Sequence, residues 1–334
     1  MIMEMQDEIE LCFPQLLNSS CRKPKLHWTK AVLLNILMSC LSLTTVALNL
    51  LVIISVSHFR QLHTPTNIFL LSLAVSDFLV GFLLMPFEIL RNTACWLLGD
   101  IACSLYLFVV SLLLCVSNGN IVLISVDRYL AICYPLNYST RITTAKAKRY
   151  VFLCWFLSSL SSVFYVRDQL IQPGKSNSCF GGCELAIDYV AGIVDLILNF
   201  IFSVILIVVL YTQVFVVAVS QARAMCSRVT AASLQHSAKP KAKRSELKAA
   251  RTLGILVFVY LLCFCPYYGY SLVQVKLTSS SFAFFFVFLF FSNSCFNPVI
   301  YALFYRWFRK AIKLILTLRN TTTSMKYDKV FIYM

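Results

Sequence analysis

The sequence predicts an all-α integral membrane protein, a bundle of seven transmembrane helices. Of its 334 residues, 59% are hydrophobic and only 13% are charged, and the mean hydropathy is +0.78. A soluble domain is about one quarter charged, so these values exclude an ordinary cytosolic or secreted protein. The apolar residues also cluster in blocks of membrane-spanning length, since about twenty of them cross the hydrocarbon layer as a helix.

Seven such blocks follow one another along the chain. Because hydrocarbon offers the backbone no hydrogen-bond partners, each block must satisfy its own amides, and a helix does so. The blocks run approximately over 31–56, 67–90, 101–126, 150–166, 185–219, 253–275 and 277–305. The chain therefore divides into an N-terminal segment (1–30), a seven-helix domain (31–305) and a tail (306–334).

The charge distribution predicts the orientation of the bundle. The chain has 29 Lys and Arg residues against 14 Asp and Glu residues. Most of the basic residues lie in one set of alternate loops and in the tail, above all in 223–251 and 306–329. The positive-inside rule places this set in the cytoplasm and the N-terminus outside. Such an inner face favours anionic lipid and an acidic partner over nucleic acid, and 306–319 predicts an amphipathic helix on the inner leaflet.

Six of the fourteen cysteines lie on the predicted outer side, where disulfides persist; they are Cys12, Cys21, Cys95, Cys103, Cys179 and Cys183. A Cys103–Cys183 disulfide would hold the loop before the fifth helix over the mouth of the bundle. Cys179 could then bind the N-terminal segment through Cys21, with Cys12 as the alternative, because connectivity cannot be deduced from sequence alone. The same segment carries a glycosylation sequon at Asn18.

Several functional classes lack support in the sequence. No internal repeat or matching pair of broken helices favours a transporter, and no ring of like charges favours a channel. These two classes stay as distant alternatives to a receptor. The chain contains no metalloprotease, serine-hydrolase or phosphate-loop motif, so we predict no enzyme and no catalytic residue.

Short polar motifs occur in six of the seven helices: Asn49, Asp77, Asp127-Arg128-Tyr129, Trp155, Phe264-Cys265-Pro266 and, in the last helix, Asn297-Pro298-Val299-Ile300-Tyr301. In this order and spacing they resemble the rhodopsin-like G-protein-coupled receptors over almost the whole chain. The segments 12–14, 179–183 and 293–308 are similar to those of trace amine-associated receptors. The resemblance implies a plasma-membrane receptor, olfactory in type, that binds a small amine, activates a stimulatory heterotrimeric G protein and raises cyclic AMP.

The resemblance also assigns the residues of an activation switch. Arg128 would pair with Asp127 in the resting state, with Glu246 as a second partner. Pro266 removes a backbone hydrogen bond and kinks its helix, which provides a pivot. The remaining members of the switch are Tyr129, Tyr211, Asn297, Pro298 and Tyr301.

A buried acid in the second helix, Asp77, needs partners in the bilayer. By resemblance its neighbours are Ser117, Asn293 and Asn297, an oxygen-rich set that could hold a sodium ion. The alternative is a purely structural hydrogen-bonded cluster. No other cofactor is expected.

The position of the ligand anion departs from that of most aminergic receptors. Those receptors bind the amine through an aspartate in the third helix, where this chain has Val110. The fifth helix instead carries Asp195, and this arrangement resembles the fish-expanded branch of the trace amine family, in which the carboxylate has moved to the fifth helix. We predict that Asp195 binds the ammonium group; the alternative is that it pairs with Asn199, one turn below, and is structural.

The predicted pocket is completed by residues of the third, sixth and seventh helices: Val110, Ser111, Leu114, Cys115, Phe264, Tyr267, Tyr268, Phe288 and Phe291. Aromatic faces attract an ammonium group by about 0.5 to 2 kcal/mol. Glu88 in the second helix is a second candidate anion that could engage a diamine. The preferred interpretation is a local ion pair with Arg91, three residues further on.

Overall fold

The computed structural model describes residues 11–16, 19–22, 28–174, 179–183, 189–232, 254–255, 257–269, 280–304, 308–309 and 312–313. Its principal helices are α1 (Trp28–His58), α2 (Pro65–Thr93), α3 (Gly99–Cys133), α4 (Thr144–Tyr165), α5 (Tyr189–Asp195, Leu196–Ile201 and Phe202–Ala232), α6 (Val257–Gly269) and α7 (Ser280–Phe304). Short helices at Arg60–Leu62, Pro135–Arg141 and Arg167–Ile171 lie in the connections. Each predicted block corresponds to one of the seven helices.

Four of these helices, within the residues described, are long and apolar enough to cross a membrane by themselves: α1, α2, α3 and α5. α4 begins among the basic residues Lys146, Lys148 and Arg149, so its apolar part is shorter. α5 continues to Ala232, well beyond the predicted end at 219, because its more polar extension keeps the helical hydrogen bonds without needing an apolar sequence.

Local sequence explains where two of the helices begin. Thr64 precedes α2, and its hydroxyl accepts a hydrogen bond from the backbone N–H of Asn67 at 3.3 Å. Thr143 caps α4 in the same way through the N–H of Lys146. Pro65, at the first position of α2, lacks the N–H that a helix start leaves unsatisfied.

α3 lies at the centre of the bundle, where it packs against α2, α4 and α5. Its buried side chains, among them Leu113, Ile121 and Ile124, join the main apolar core. Large apolar residues such as Phe152 on α4 and Phe202 on α5 are exposed on the outer surface. An apolar outer surface is expected of a protein that is surrounded by lipid.

Both α2 and α5 contain one π-helical turn, at Val80–Leu84 and Leu196–Ile201. Such turns occur frequently at functional sites because the inserted residue changes the direction of neighbouring side chains. The turn in α5 begins directly after Asp195. The turn in α2 lies between Asp77 and Glu88, the two acids of that helix.

Three disulfides join the outer segments into one cap. The structure forms Cys103–Cys183 and Cys21–Cys179, and it also forms Cys12–Cys95. The alternative pairing of Cys12 with Cys179 is therefore wrong, because Cys12 contacts the loop between α2 and α3 instead. The cap is closed by a backbone hydrogen bond of 2.9 Å from Trp96 N–H to the carbonyl of Gly181.

Gly181 is required by this close contact. Its φ is +96°, and a Cβ atom there would lie 2.8 Å from the Cβ of Cys12. Glycine alone combines that backbone conformation with the space available.

Three predicted features lie wholly or mostly outside the described residues. These are the sequon at Asn18, the switch partner Glu246 and most of the amphipathic helix over 306–319. Within the last segment, 308–309 and 312–313 are helical.

Candidate ligand-binding site

Asp195 is the centre of the candidate site, and its two carboxylate oxygens differ in their partners. Oδ1 accepts a hydrogen bond of 2.8 Å from Nδ2 of Asn199. Oδ2 lies 3.5 Å from the hydroxyl of Tyr268, which is long for an O–H···O bond. No basic side chain in the described part of the chain forms an ion pair with Asp195. One oxygen is therefore well satisfied and the other only weakly.

Side chains from three other helices lie within electrostatic range of this carboxylate. Asp195 interacts electrostatically with Cys115 of α3, Tyr165 of α4 and both tyrosines of α6, Tyr267 and Tyr268. Of the predicted residues among these, Tyr268 contacts the predicted anion, and the ring of Tyr267 packs edge-on against that of Tyr268 at a centroid distance of 5.6 Å. The sequence did not predict Tyr165, because local sequence does not distinguish a tyrosine that faces a pocket from one that packs between helices.

An aromatic cluster extends the site between α6 and α7. Phe290 is its hub: the centroid of its ring lies 4.6 Å from that of Tyr267, 5.0 Å from that of Phe264 and 5.6 Å from that of Phe291. Phe264 and Phe291 are buried, as is Phe290 itself. The sequence predicted the three neighbours but missed Phe290, since the phenylalanines of 282–291 are too dense for the inward ones to be identified.

Four further residues that were predicted to line the pocket lie on α3 and α7. Val110 and Leu114 are partly buried against the core. Ser111 is buried, and its hydroxyl donates to Oγ of Ser162 at 3.1 Å. Phe288 lines a cleft between α1, α2 and α7 together with Glu88.

Glu88 is saturated with hydrogen-bond donors. Arg91 donates to both of its oxygens, at 2.6 Å from Nη2 and 3.1 Å from Nε. The Tyr106 hydroxyl donates at 2.7 Å, and Nδ2 of Asn92 donates at 2.8 Å. The ion pair with Arg91 that the spacing favoured is present, and Tyr106 and Asn92 complete the set.

At the inner end of α3, Arg128 forms an ion pair with the neighbouring Asp127. Asp127 Oδ2 accepts hydrogen bonds from Nη2 of Arg128 at 2.5 Å and from the hydroxyl of Thr66 at 2.8 Å. Oδ1 accepts one of 2.7 Å from the hydroxyl of Tyr138. Burial raises the pKa of Tyr138, so its phenol stays a neutral donor. Thr66 and Tyr138 come from other segments and were not predicted.

The remaining switch residues occupy the inner half of the bundle. Tyr301 is buried, the hydroxyl of Tyr211 is enclosed, and the ring of Tyr129 makes an edge contact with Tyr134. Pro266 and Pro298 lie within the helical ranges of α6 and α7.

The polar core around Asp77 is buried between α2, α3 and α7. Nδ2 of Asn297 donates to Oδ2 of Asp77 at 2.7 Å, and Ser117 and Ser294 lie beside the carboxylate. Asn293 is buried next in sequence to Ser294. Asn49 connects this core to α1 by donating to the carbonyl of Ser294 at 3.0 Å.

Comparison with known proteins identifies the class. Residues 48–301 match the model of the 7 transmembrane receptor (rhodopsin family), so the chain belongs to that family, which consists of receptors and not of enzymes. Trace amine-associated receptor 13c of Danio rerio is 37% identical, with 94% of each chain covered. Trace amine-associated receptor 8b of Mus musculus is 36% identical, over 93% of this chain and 94% of the relative.

Trace amine-associated receptor 1 of Macaca mulatta is more distant, at 33% identity over 90% of this chain and 92% of the relative. These identities over nearly full length place the chain within the trace amine-associated receptors. The family predicted from the short motifs is thereby confirmed. The protein is a multi-pass G-protein-coupled receptor of the plasma membrane.

Proposed function

We propose that this receptor binds a small protonated amine through Asp195 and then activates a stimulatory heterotrimeric G protein, which raises cyclic AMP in an olfactory cell. The observation that carries the proposal is the half-satisfied carboxylate of Asp195 beside Tyr268. A charge inside the bilayer is expensive unless it is paired, and an ammonium group would supply the missing partner. The names of the relatives agree with an amine ligand.

The pocket also provides apolar binding energy. Tyr268 is stacked on Phe200 with ring centroids 4.3 Å apart, so its ring is held in place beside Asp195. Aromatic faces add about 0.5 to 2 kcal/mol to the binding of an ammonium group. Val110, Leu114 and the Phe264–Phe290–Phe291 cluster would enclose the carbon skeleton of the amine.

A route from the pocket into the bundle begins at Asn199. Its side chain supports Asp195, while its backbone carbonyl accepts a hydrogen bond of 3.4 Å from Nδ2 of Asn118 on α3. A change in the conformation of the π turn of α5 would therefore be transmitted to α3 through this hydrogen bond. The amine favours the active bundle only by the difference between its affinities for the two states. Activation then requires Arg128 to leave Asp127 and face the G protein.

The oxygen-rich set around Asp77 fits a sodium ion as an allosteric ligand. The donors would be the carboxylate of Asp77, the hydroxyl of Ser117 and the side-chain oxygens of Asn293 and Asn297. A bound cation would compensate the buried charge of Asp77. The alternative is that the same residues form a hydrogen-bonded cluster without an ion. Glycosylation at Asn18 and a lipid-bound amphipathic helix over 306–319 also belong to the proposal.

One observation favours a second candidate function. The hydrogen bond from Asn199 to Asp195 is of ordinary length, as expected if Asp195 is structural and the ligand is not an amine. In that case the response would not depend on the protonation of the ligand.

The deciding experiment is a cyclic AMP reporter assay in transfected cells with primary, tertiary and di-amines. The parent receptor is compared with Asp195→Asn, which removes the charge but keeps the size. Asp168→Asn is the matched control, because Asp168 is an exposed acid paired with Arg167 on the outer side.

We expect the parent and Asp168→Asn to respond and Asp195→Asn to be silent at normal surface expression. Cells lacking the stimulatory G-protein α subunit should give no signal with any of the three receptors. A normal amine response of Asp195→Asn would establish the structural alternative.

A further inference from the structure

The π turn of α5 places two side chains against the same residue of α6. Oδ2 of Asp195 lies 3.5 Å from the hydroxyl of Tyr268, and the ring of Phe200 stacks on the ring of Tyr268 with centroids 4.3 Å apart. Residues five positions apart in a regular α-helix point about 140° away from each other, because each residue adds about 100°. The hydrogen bonds of a π turn join residues five apart, so the two positions then lie on the same side. The turn at Leu196–Ile201 therefore brings the anion and the aromatic ring onto one face of α5.

The turn also sets the direction in which Asp195 points relative to the rest of α5. A π turn contains one residue more than the α-helical turn that it replaces, so the segment before it is rotated by about 100°. That segment, Tyr189–Asp195, has only 7 residues, whereas the part after the turn runs over Phe202–Ala232 and packs against α3. If the turn became α-helical, the short outer segment would rotate and carry Asp195 away from Tyr268.

Asn118 of α3 holds this turn from outside. Where hydrogen bonds over four residues change to bonds over five, one backbone carbonyl is left without an amide donor, and a buried carbonyl needs a partner. Nδ2 of Asn118 donates to the carbonyl of Asn199, inside the turn, at 3.4 Å. Asn118 is buried, and its Oδ1 has no hydrogen-bond partner in the described part of the chain. The contact with the π turn is thus the hydrogen bond that compensates the burial of this amide.

The π turn of α2 has the same arrangement. The carbonyl of Gly81 lies within the turn Val80–Leu84 and accepts a buried hydrogen bond of 2.8 Å from the hydroxyl of Ser42 on α1. In both turns, therefore, one carbonyl is satisfied by a polar side chain of a neighbouring helix. The repetition indicates that the outside donor is part of the structure of the turn.

We propose that the π turn of α5 orients Asp195 for the amine and that Asn118 is the positioning residue that maintains the turn. The inference rests on the proposed function, in which Asp195 binds the ammonium group. In this role Asn118 needs no contact with the amine, because it acts through the backbone of Asn199. Without its outside donor the turn has an unsatisfied buried carbonyl, which favours the regular α-helix instead.

The first test is Asn118→Leu, which keeps the approximate size of the side chain but removes the donor. In the cyclic AMP assay with alkylamines we expect at least about tenfold lower potency at normal surface expression, because Asp195 would no longer face the pocket. Asn120→Leu is the matched control and should keep the potency of the parent. Asn120 is a buried asparagine of the same helix, and its amide has no hydrogen-bond partner among the described residues. Potency of Asn118→Leu equal to that of the parent would overturn the proposal.

A deletion distinguishes this positioning role from a general role of Asn118 in folding. Leu198 lies in the turn and is exposed on the outer surface. Its deletion removes the extra residue, so a regular α-helix would hold Asp195 in its present direction, with Phe200 four positions away on the same face. We expect the deletion to keep amine potency within about threefold of the parent and to make Asn118→Leu harmless when the two are combined. A loss of about tenfold from Asn118→Leu in the shortened receptor would show that the amide acts elsewhere, and would overturn the proposal.

An exchange of two residues gives the same test without a deletion, and it decides the matter if the shortened receptor does not reach the cell surface. In a regular α-helix, position 196 takes the direction that Asp195 has now, because it is one residue nearer to Phe202. Asp195→Leu combined with Leu196→Asp should therefore silence the parent receptor and restore the response to alkylamines in Asn118→Leu. A response of the exchanged receptor that is the same with and without Asn118 would contradict the proposal.

Failure of the proposed function is a separate outcome. Asp195→Asn would then keep its response to alkylamines. If the positioning role alone is wrong, Asp195→Asn stays silent and Asn118→Leu responds like the parent.

Discussion

Glu88 and Asp195 are two acids in the outer half of the same bundle, yet they have opposite environments. Glu88 receives four hydrogen bonds of 2.6 to 3.1 Å, two of them from an arginine. Asp195 receives one short hydrogen bond and one contact of 3.5 Å. A buried charge is tolerated only when it is compensated, so the saturated acid belongs to the scaffold, whereas the acid proposed to bind the ligand keeps one weakly satisfied oxygen. Glu88 is also the more buried of the two, since Asp195 is only half-buried.

The largest effect should come from Glu88→Ala. Removing one member of a buried ion pair leaves the other charge uncompensated and typically costs about 3 to 5 kcal/mol. Arg91 would lose its partner, and Tyr106 and Asn92 would each lose an acceptor. We expect a markedly lower midpoint of thermal unfolding for the purified receptor and a small amount at the cell surface. Asp168→Asn is the control; stability equal to that of the parent would contradict a scaffold role for Glu88.

Tyr106→Phe should have the next largest effect. It removes one of the four donors to Glu88 but keeps a ring that packs against Phe87 and Trp96 at centroid distances of 5.9 and 5.8 Å. Leaving a buried acceptor short of one bond costs about 1 to 3 kcal/mol. The measurement is the shift in unfolding midpoint, and the potency of amines should be unchanged. A loss of potency without a loss of stability would assign Tyr106 to the ligand instead.

Asn199→Ala should act on binding rather than on stability. The amide of Asn199 orients the carboxylate of Asp195, and a hydrogen bond to a charged group contributes about 1.5 to 3 kcal/mol. We expect amine potency to fall by about tenfold or more in the cyclic AMP assay at normal surface expression. Thr212→Val is the control on the same helix, because the Thr212 hydroxyl donates to its own helix and is exposed. Unchanged potency would mean that Asn199 does not position Asp195.

The smallest effect is expected for Tyr268→Phe. Its hydroxyl lies 3.5 Å from Asp195, a separation at which a hydrogen bond contributes little, and the stacking on Phe200 would be kept. Amine potency should change by less than about threefold. A tenfold loss would show that the hydroxyl of Tyr268 approaches Asp195 when the amine is bound. Asp195 would then resemble Glu88 in having a tyrosine hydroxyl as a hydrogen-bond donor.

Local sequence determined much of this protein. Runs of apolar residues predicted all seven helices, because a helix in hydrocarbon must be long and apolar whatever its neighbours are. The Glu88–Arg91 pair followed from a spacing of three residues on one helix. The acid in the fifth helix and the short motifs identified the family and the candidate anion, since those signals lie in residue types and spacings along a single chain.

Only the tertiary structure decided which residues complete each site. Thr66 contacts Asp127 from 61 residues away, and Tyr138 contacts it from the short helix after α3. Tyr106 saturates Glu88 from another helix, and the ring of Phe290 contacts three other rings. The partner of Cys12 is Cys95, 83 residues away, and the π turn after Asp195 has no sequence signature. These features depend on how the helices are rotated and packed against one another, and the periodicity of one helix carries no information about the rotation of the next.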